Sequence, residues 1–159
     1  MVVIKRLGDC FLCFIFGFIF LVVWGCETEG SCGSIHTTVA IVNFYDLDSN
    51  PQLLVFDSVY AIGSDSILYN STHFTNSFGL PVNPFSDTTA FIFAGNSDTA
   101  LIFDTLVLSY QIRQQYISRL CGVEQTYSEL RIDATTFDST FISNDSLLIL
   151  NDENIRIFN

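Results

Sequence analysis

The residue types that carry most enzyme chemistry are thinly spread in this chain. Its two histidines, His36 and His73, stand far apart without a Ser or Cys motif of known geometry beside either one. Carboxylates are plentiful, so a glycosidase-like pair remains open by counting alone. Most of them sit next to Ser, Thr or Asn in turn-like contexts, where such side chains bond the local backbone. Asp46-Leu47-Asp48-Ser49-Asn50 has the alternating oxygen ligands that begin a calcium loop, which makes Asp46, Asp48 and Asn50 candidate cation ligands. The sixth position is Pro51 where such loops need Gly, and the twelfth is Asp57 where they use a bidentate Glu. A polar hairpin turn is therefore the favoured reading. Cys32, Cys121, His36 and His73 lack the paired spacing of a zinc site. The expectation is no catalytic residue, no resident metal and no cofactor.

The cysteines carry a different chemistry. Lys5 and Arg6 precede an apolar run of about 15 residues, 10–24, shorter than a membrane span and suited to a signal h-region. The run ends in Val22-Val23-Trp24-Gly25-Cys26. A branched residue at −3, a small one at −1 and then Cys resembles a bacterial lipobox, in which Cys26 is acylated and becomes the new N-terminus. Trp24 is bulkier than the usual occupant of −2. An uncleaved N-terminal anchor is the alternative. Cys10 and Cys13 would leave with the leader, and Cys32 and Cys121 remain as an even pair in an oxidising compartment. A bridge between them would close a loop of about 90 residues, an effect of about 4–5 kcal/mol in the chain-entropy model. Two free thiols are the plainer alternative.

A third pattern is Asp, then Ser or Thr, then an aliphatic residue or Thr. It occurs seven times and marks Ser58, Ser66, Thr88, Thr99, Thr105, Ser139 and Ser146. It resembles the O-glycosylation signal of exported Bacteroidota proteins. The competing reading is local: Asp-Ser and Asp-Thr cap a turn just before an apolar strand.

The chain has 159 residues, 49% apolar, with a formal net charge of −11. That length accommodates one domain plus a targeting segment. Beyond residue 25 there are four Arg, no Lys and 16 acidic residues, a net charge of −12. Nothing in so acidic a chain can replace phosphate counterions, so nucleic acid is excluded as a partner.

The elements that must hold these residues are strands. Ile, Val, Thr, Phe and Tyr dominate beyond residue 25, and no long window shows a helical apolar stripe. The pattern predicts strands over 37–45, 54–62, 67–69, 78–82 and 88–94. It continues with a hairpin of 104–112 and 115–120 turned by Arg113-Gln114, a strand over 128–136, and a terminal hairpin of 147–150 and 155–158. Pro81 and Pro84 mark 78–82 as an edge or irregular segment. In 104–112, Leu106, Leu108, Tyr110 and Ile112 share one face; in 128–136, Leu130, Ile132 and Ala134 do. The expected fold is all-β: an antiparallel β-sandwich, immunoglobulin-like or similar, of about 7–9 strands. Residues 1–25 read as a lipoprotein signal peptide, 26–35 as a lipidated tether and 36–159 as the sandwich domain.

Several blocks together carry a family resemblance. They are the lipobox with its acidic follower, Asn43-Phe44-Tyr45-Asp46, Val59-Tyr60-Ala61-Ile62-Gly63, Asp65-Ser66-Ile67 and Leu80-Pro81-Val82-Asn83. Further on stand 104–110, Tyr116-Ile117-Ser118-Arg119-Leu120-Cys121-Gly122 and Ile155-Arg156-Ile157-Phe158. The chain resembles an uncharacterised family of Bacteroidota lipoproteins catalogued as a domain of unknown function. The resemblance implies an all-β domain tethered to the envelope by lipid, with no assigned activity, cofactor or substrate.

The leading functional expectation is a lipid-anchored, non-catalytic structural or binding module of the cell envelope, held at the outer membrane and facing the periplasm or the surface. Its protein or glycan ligand is undetermined. Two alternatives stand beside it. A glycan-binding accessory lipoprotein would need tyrosines lining a groove, and a small hydrolytic or calcium-dependent enzyme would need converging acids or histidines.

Overall fold

The computed structural model describes residues 32–70, 75–97, 100–149 and 153–158. The signal segment, Cys26, His73 and Thr99 lie outside these. The chain divides into two units, Met1–Cys32 and Gly33–Asn159, and the strands described below all belong to the second. No helix among the described residues is long and apolar enough to cross a membrane.

Among the described residues nine strands form in order: β1 Val39–Tyr45, β2 Ser58–Ala61, β3 Ile67–Asn70, β4 Ser77–Pro81, β5 Thr88–Ser97, β6 Ala100–Ser118, β7 Gly122–Thr135, β8 Ser139–Ile142 and β9 Ile155–Phe158. They make two sheets, β4-β1-β9-β8 and β3-β2-β5-β6-β7. The all-β expectation and the strand number hold, and the pairing is antiparallel with one exception. The first and last strands, β1 and β9, run parallel, Val42 opposite Ile155 and Phe44 opposite Ile157.

Period-two alternation explains the core. Ala40, Val42 and Phe44 of β1 point inward with Ile155 and Ile157 of β9 and Phe78 and Leu80 of β4. Phe91 and Phe93 of β5 and Leu106, Leu108 and Tyr110 of β6 meet them from the other sheet. Phe44 is the hub: its ring lies 5.5 Å from Phe78, 6.0 Å from Phe93 and 5.6 Å from Phe137, all edge-on. Edge-to-face rings at these spacings add specific attraction to the area they bury.

Three strand expectations require correction. The turn expected at Arg113-Gln114 is absent, because β6 runs unbroken from Ala100 to Ser118 and reverses only at residues 119–121. Gln114 pairs with Gln125 and Arg113 with Thr126, so the polar residues that suggest a turn are the solvent-facing part of a ribbon. The expected strand at 147–150 is replaced by β8, which pairs with β9; residue 148 only bridges His36. The residues of β8, Ser139-Thr140-Phe141-Ile142, have little apolar alternation of their own and become a strand by pairing. Residues 54–57 stay outside β2, joined to the rest by the Leu54–Thr75 bridge.

The alternation expected for 128–136 is also interrupted. Tyr127 and Leu130 are both buried although three residues apart, because the register shifts between Ser109 and Gln111. Glu129 takes the extra position with φ +54°. A second shift opposite Val107 and Leu108 leaves Ala134 exposed. Bulges of this kind bend an edge strand and change which side chains face inward.

Candidate functional site

Each sheet ends in two edge strands, and the molecule therefore has two flanks. At one, Tyr69 of β3 donates its hydroxyl to the Gly79 carbonyl of β4 (3.0 Å) and accepts the Gly79 N–H (2.8 Å). Its ring lies 5.0 Å from that of Phe78. A side chain thus satisfies the edge backbone where no strand does. Gly79 is required for this approach: a Cβ there would stand 2.9 Å from Val39 Cγ1 and 3.4 Å from the Tyr69 hydroxyl.

The other flank is open. Between β7 and β8 lies a groove of about 480 Å³ lined by residues 130–135 and 140–142. Its walls mix Leu130, Ile132 and Ile142 with Arg131, Asp133 and Thr140. Phe137 plugs the corner where β7 passes to β8, against Phe44 and Phe93. This groove is the candidate binding site.

Two residues that sequence reasoning misses hold the β8 side of the groove from behind. Asn154 is buried. Its Oδ1 accepts the Ile41 N–H (2.9 Å), and its Nδ2 donates to the carbonyls of Asn144 (3.2 Å) and Ser146 (3.0 Å). Its backbone N–H reaches the Ile41 carbonyl, and its own carbonyl accepts the N–H of Ser143. The neighbouring Glu153 accepts from Asn43 Nδ2 (3.1 Å), the Tyr45 hydroxyl (2.5 Å), Ser143 Oγ (2.8 Å) and Arg156 Nε (2.5 Å). Burial pushes its carboxyl up, but the hydrogen bonds, that of Tyr45 foremost, outweigh this and hold its pKa below the ordinary value. The same Glu153 contact, with burial, raises the Tyr45 phenol, over whose ring the Arg156 guanidinium lies at 5.4 Å. Neither residue has a sequence signature, since both read as the polar turn 151–154.

The candidates named from sequence fall in separate places. Asp46 turns its carboxylate onto its own loop: Oδ1 accepts the N–H groups of Asn50 (2.8 Å) and Asp48 (3.0 Å), and Oδ2 accepts Asn50 Nδ2 (3.1 Å). The Asn50 N–H and side chain, then Asp48, keep its pKa low. The loop geometry is that of a capped turn, with Ser49 at φ +67°. No group of three or more His, Cys, Asp or Glu among the described residues is placed to hold a metal. His36 bridges Leu148, and its buried Nδ1 has no partner.

Cys32 and Cys121 are both disulfide-bonded, with Cys121 in the reversal between β6 and β7. Of the Asp-Ser and Asp-Thr sites, Ser66, Thr88 and Ser139 are exposed, while Ser58, Thr105 and Ser146 are half-buried. Ser58, Thr88 and Ser139 each open a strand and Ser66 immediately precedes one, as the turn-capping reading requires. Thr105 lies inside β6 and does not fit it.

The tyrosines do not gather. Tyr110 and Tyr127 are buried against each other (5.8 Å), Tyr69 is bound to Gly79 and Tyr45 to Glu153. Tyr116, 62% exposed, stands on the β6–β7 ribbon and away from the groove.

Residues 57–159 match the model of a family of unknown function, DUF6452. The chain belongs to that family. The matched segment contains every strand from β2 to β9, and with them both walls of the groove and the whole β6–β7 hairpin. No curated protein and no solved structure matches the chain.

Proposed function

We propose that this protein is a lipid-anchored, non-catalytic binding module of the cell envelope, of the Bacteroidota lipoprotein type. Residues 1–25 direct export, Cys26 carries the lipid at the outer membrane, and a Cys32–Cys121 bridge ties the tether to the domain. The observation that carries the anchoring is Val22-Val23-Trp24-Gly25-Cys26 at the end of a 15-residue apolar run behind Lys5 and Arg6. The open β7–β8 groove supports the binding role. Two edge strands flanking apolar side chains suit an extended polypeptide segment, which brings its own backbone donors and acceptors. The scatter of the tyrosines weighs against a glycan platform, because sugar recognition needs aromatic faces side by side.

Intact-mass analysis of the protein extracted from envelopes tests the anchor. The expected mass is that of residues 26–159 plus acyl chains; a mass of the whole polypeptide without lipid overturns it. Any excess over polypeptide and lipid is the mass expected of glycans on the Asp-Ser and Asp-Thr sites, Ser58, Ser66, Thr88, Thr99, Thr105, Ser139 or Ser146. A photo-crosslinking residue at position 141, on β8, tests the groove. The expected result is adducts with a peptide partner; adducts equal to those from position 47, outside the groove, refute it.

A further inference from the structure

The outward faces of the two sheets differ in kind. On the four-stranded sheet, Arg156 of β9 stands between Asn43 of β1 and Phe141 of β8 and pairs with Glu153, so that face is charged at its middle. On the five-stranded sheet Val59, Phe91, Phe93, Leu106 and Leu108 point into the core, and β2 and β6 each pair with β5 without a register shift. The residues alternating with that inward set therefore point outward together. They include Tyr60, Ala90, Ile92, Phe103 and Val107. Ile62 joins them, its N–H extending the ladder to the Ala90 carbonyl. The other outward positions of these three strands are Ser, Thr or Ala, and none of the set is charged.

A sheet face turned to water ordinarily carries polar residues. Here Ile62 is 61% and Phe103 55% exposed, and Tyr60, Ala90, Ile92 and Val107 are half-buried. Charge enters at the margin. Arg131 of β7 lies opposite Ser109, Asp133 accepts a hydrogen bond from Ser109 Oγ (2.7 Å), and Asp57 and Asp87 directly precede β2 and β5. An apolar centre inside a polar rim is the anatomy of a protein interface.

Size and charge point to the occupant. Five strands about 4.8 Å apart, over the length of residues 88–94, make a face of roughly 24 by 24 Å. Two such faces pressed together bury on the order of 1,000 Å², the area at which a specific interface begins. The net charge beyond residue 25 is −12, so a partner selected by charge would be basic and would be held by acidic surface. A second copy brings an uncharged face of the same size, and a two-fold axis matches that face to itself.

We infer that the protein self-associates by stacking the outward faces of two five-stranded sheets around a two-fold axis. The contact is centred on β2, β5 and β6, none of which lines the β7–β8 groove.

The test uses the full chain in intact envelopes, produced with two different affinity tags in the same cells. A photo-crosslinking residue at position 92 is expected to give an adduct of twice the polypeptide mass that carries both tags. Position 47, 86% exposed on the loop after β1, is expected to give none. No adduct at 92, an adduct with a different protein, or equal self-adducts at 92 and 47 overturns the inference.

Sedimentation of the detergent-extracted chain gives a second reading. The dimer is expected to tighten on the order of threefold or more between about 0.05 M and about 0.5 M salt, because screening removes repulsion between two acidic copies. Ile92→Asp places a carboxylate in the middle of both faces and should weaken the dimer on the order of tenfold or more. Leu47→Asp should leave it unchanged. A monomer at every salt concentration, a dimer that loosens with salt, or a folded Ile92→Asp variant that associates as before overturns the inference. The salt measurement is made on the unsubstituted chain and stands whether or not Ile92→Asp folds.

Discussion

On one flank of the sandwich, Tyr69 joins β3 to β4, its ring against Phe78 and its hydroxyl both giving to and taking from the Gly79 backbone. On the other, β7 and β8 stand apart around a groove, and the effort of holding β8 is moved behind it, to Asn154 and Glu153. An exposed strand edge invites pairing with foreign chains unless something covers it. The first flank is covered by Tyr69. The second relies on a four-residue β8 and on the bulges of β7, devices that shorten and bend an edge without filling the space beside it. A closed flank therefore depends on contacts across the gap, and an open one on contacts that brace each wall independently.

Substitutions can break or sharpen that contrast. The largest effect is expected for Asn154→Ala, which removes three side-chain hydrogen bonds and leaves the Ile41 N–H buried without its acceptor. A loss of about 3 kcal/mol is expected in denaturant unfolding, and a loss under about 1 kcal/mol would show that β8 is braced elsewhere. Tyr69→Phe keeps the ring and removes both bonds to Gly79, at an expected cost of about 1–2 kcal/mol. Hydrogen exchange should rise at Gly79 and leave β8 unchanged if the flanks are independent.

Glu153 supplies a dependence on pH. Its carboxyl is held below the ordinary 4.5, so the ionised form favours the folded state. That stabilisation is complete above the unfolded value and is lost as pH falls through the lowered folded one. Glu153→Gln should lower the melting midpoint at pH 7, by about 1 kcal/mol in stability, and flatten the decline below pH 4.5. Asp46, shifted in the same direction, should preserve a residual slope. The smallest effect belongs to Phe141→Ser on the open wall. Phe141 is 60% exposed, and stability should change by less than about 0.5 kcal/mol. A larger loss would mean that the groove is packed and therefore closed.

Alternation made the body of the fold readable. Leu106, Leu108 and Tyr110 are buried as their spacing requires, and Asp46 caps the turn that its neighbours announce. What alternation cannot express is an edge. Arg113-Gln114 reads as a turn because polar residues on the solvent-facing part of a hairpin resemble polar residues in a loop. The bulge at Glu129 is hidden because one inserted residue changes the inward set without changing composition. The groove could not be seen at all, since its walls are separate stretches whose distance is set by sheet order.

Taken alone, the amino-acid order determined what local chemistry can determine: an all-β chain, its turns, its acidity, its candidate acylated cysteine and its even cysteine pair. These depend on side-chain type and near spacing. Only the tertiary structure decided the parallel pairing of β1 with β9, the recruitment of Ser139–Ile142 into β8, and the placing of Asn154 and Glu153 behind it. Each of those joins residues far apart in sequence, where backbone hydrogen bonds are satisfied by whichever partner packing of the core brings within reach.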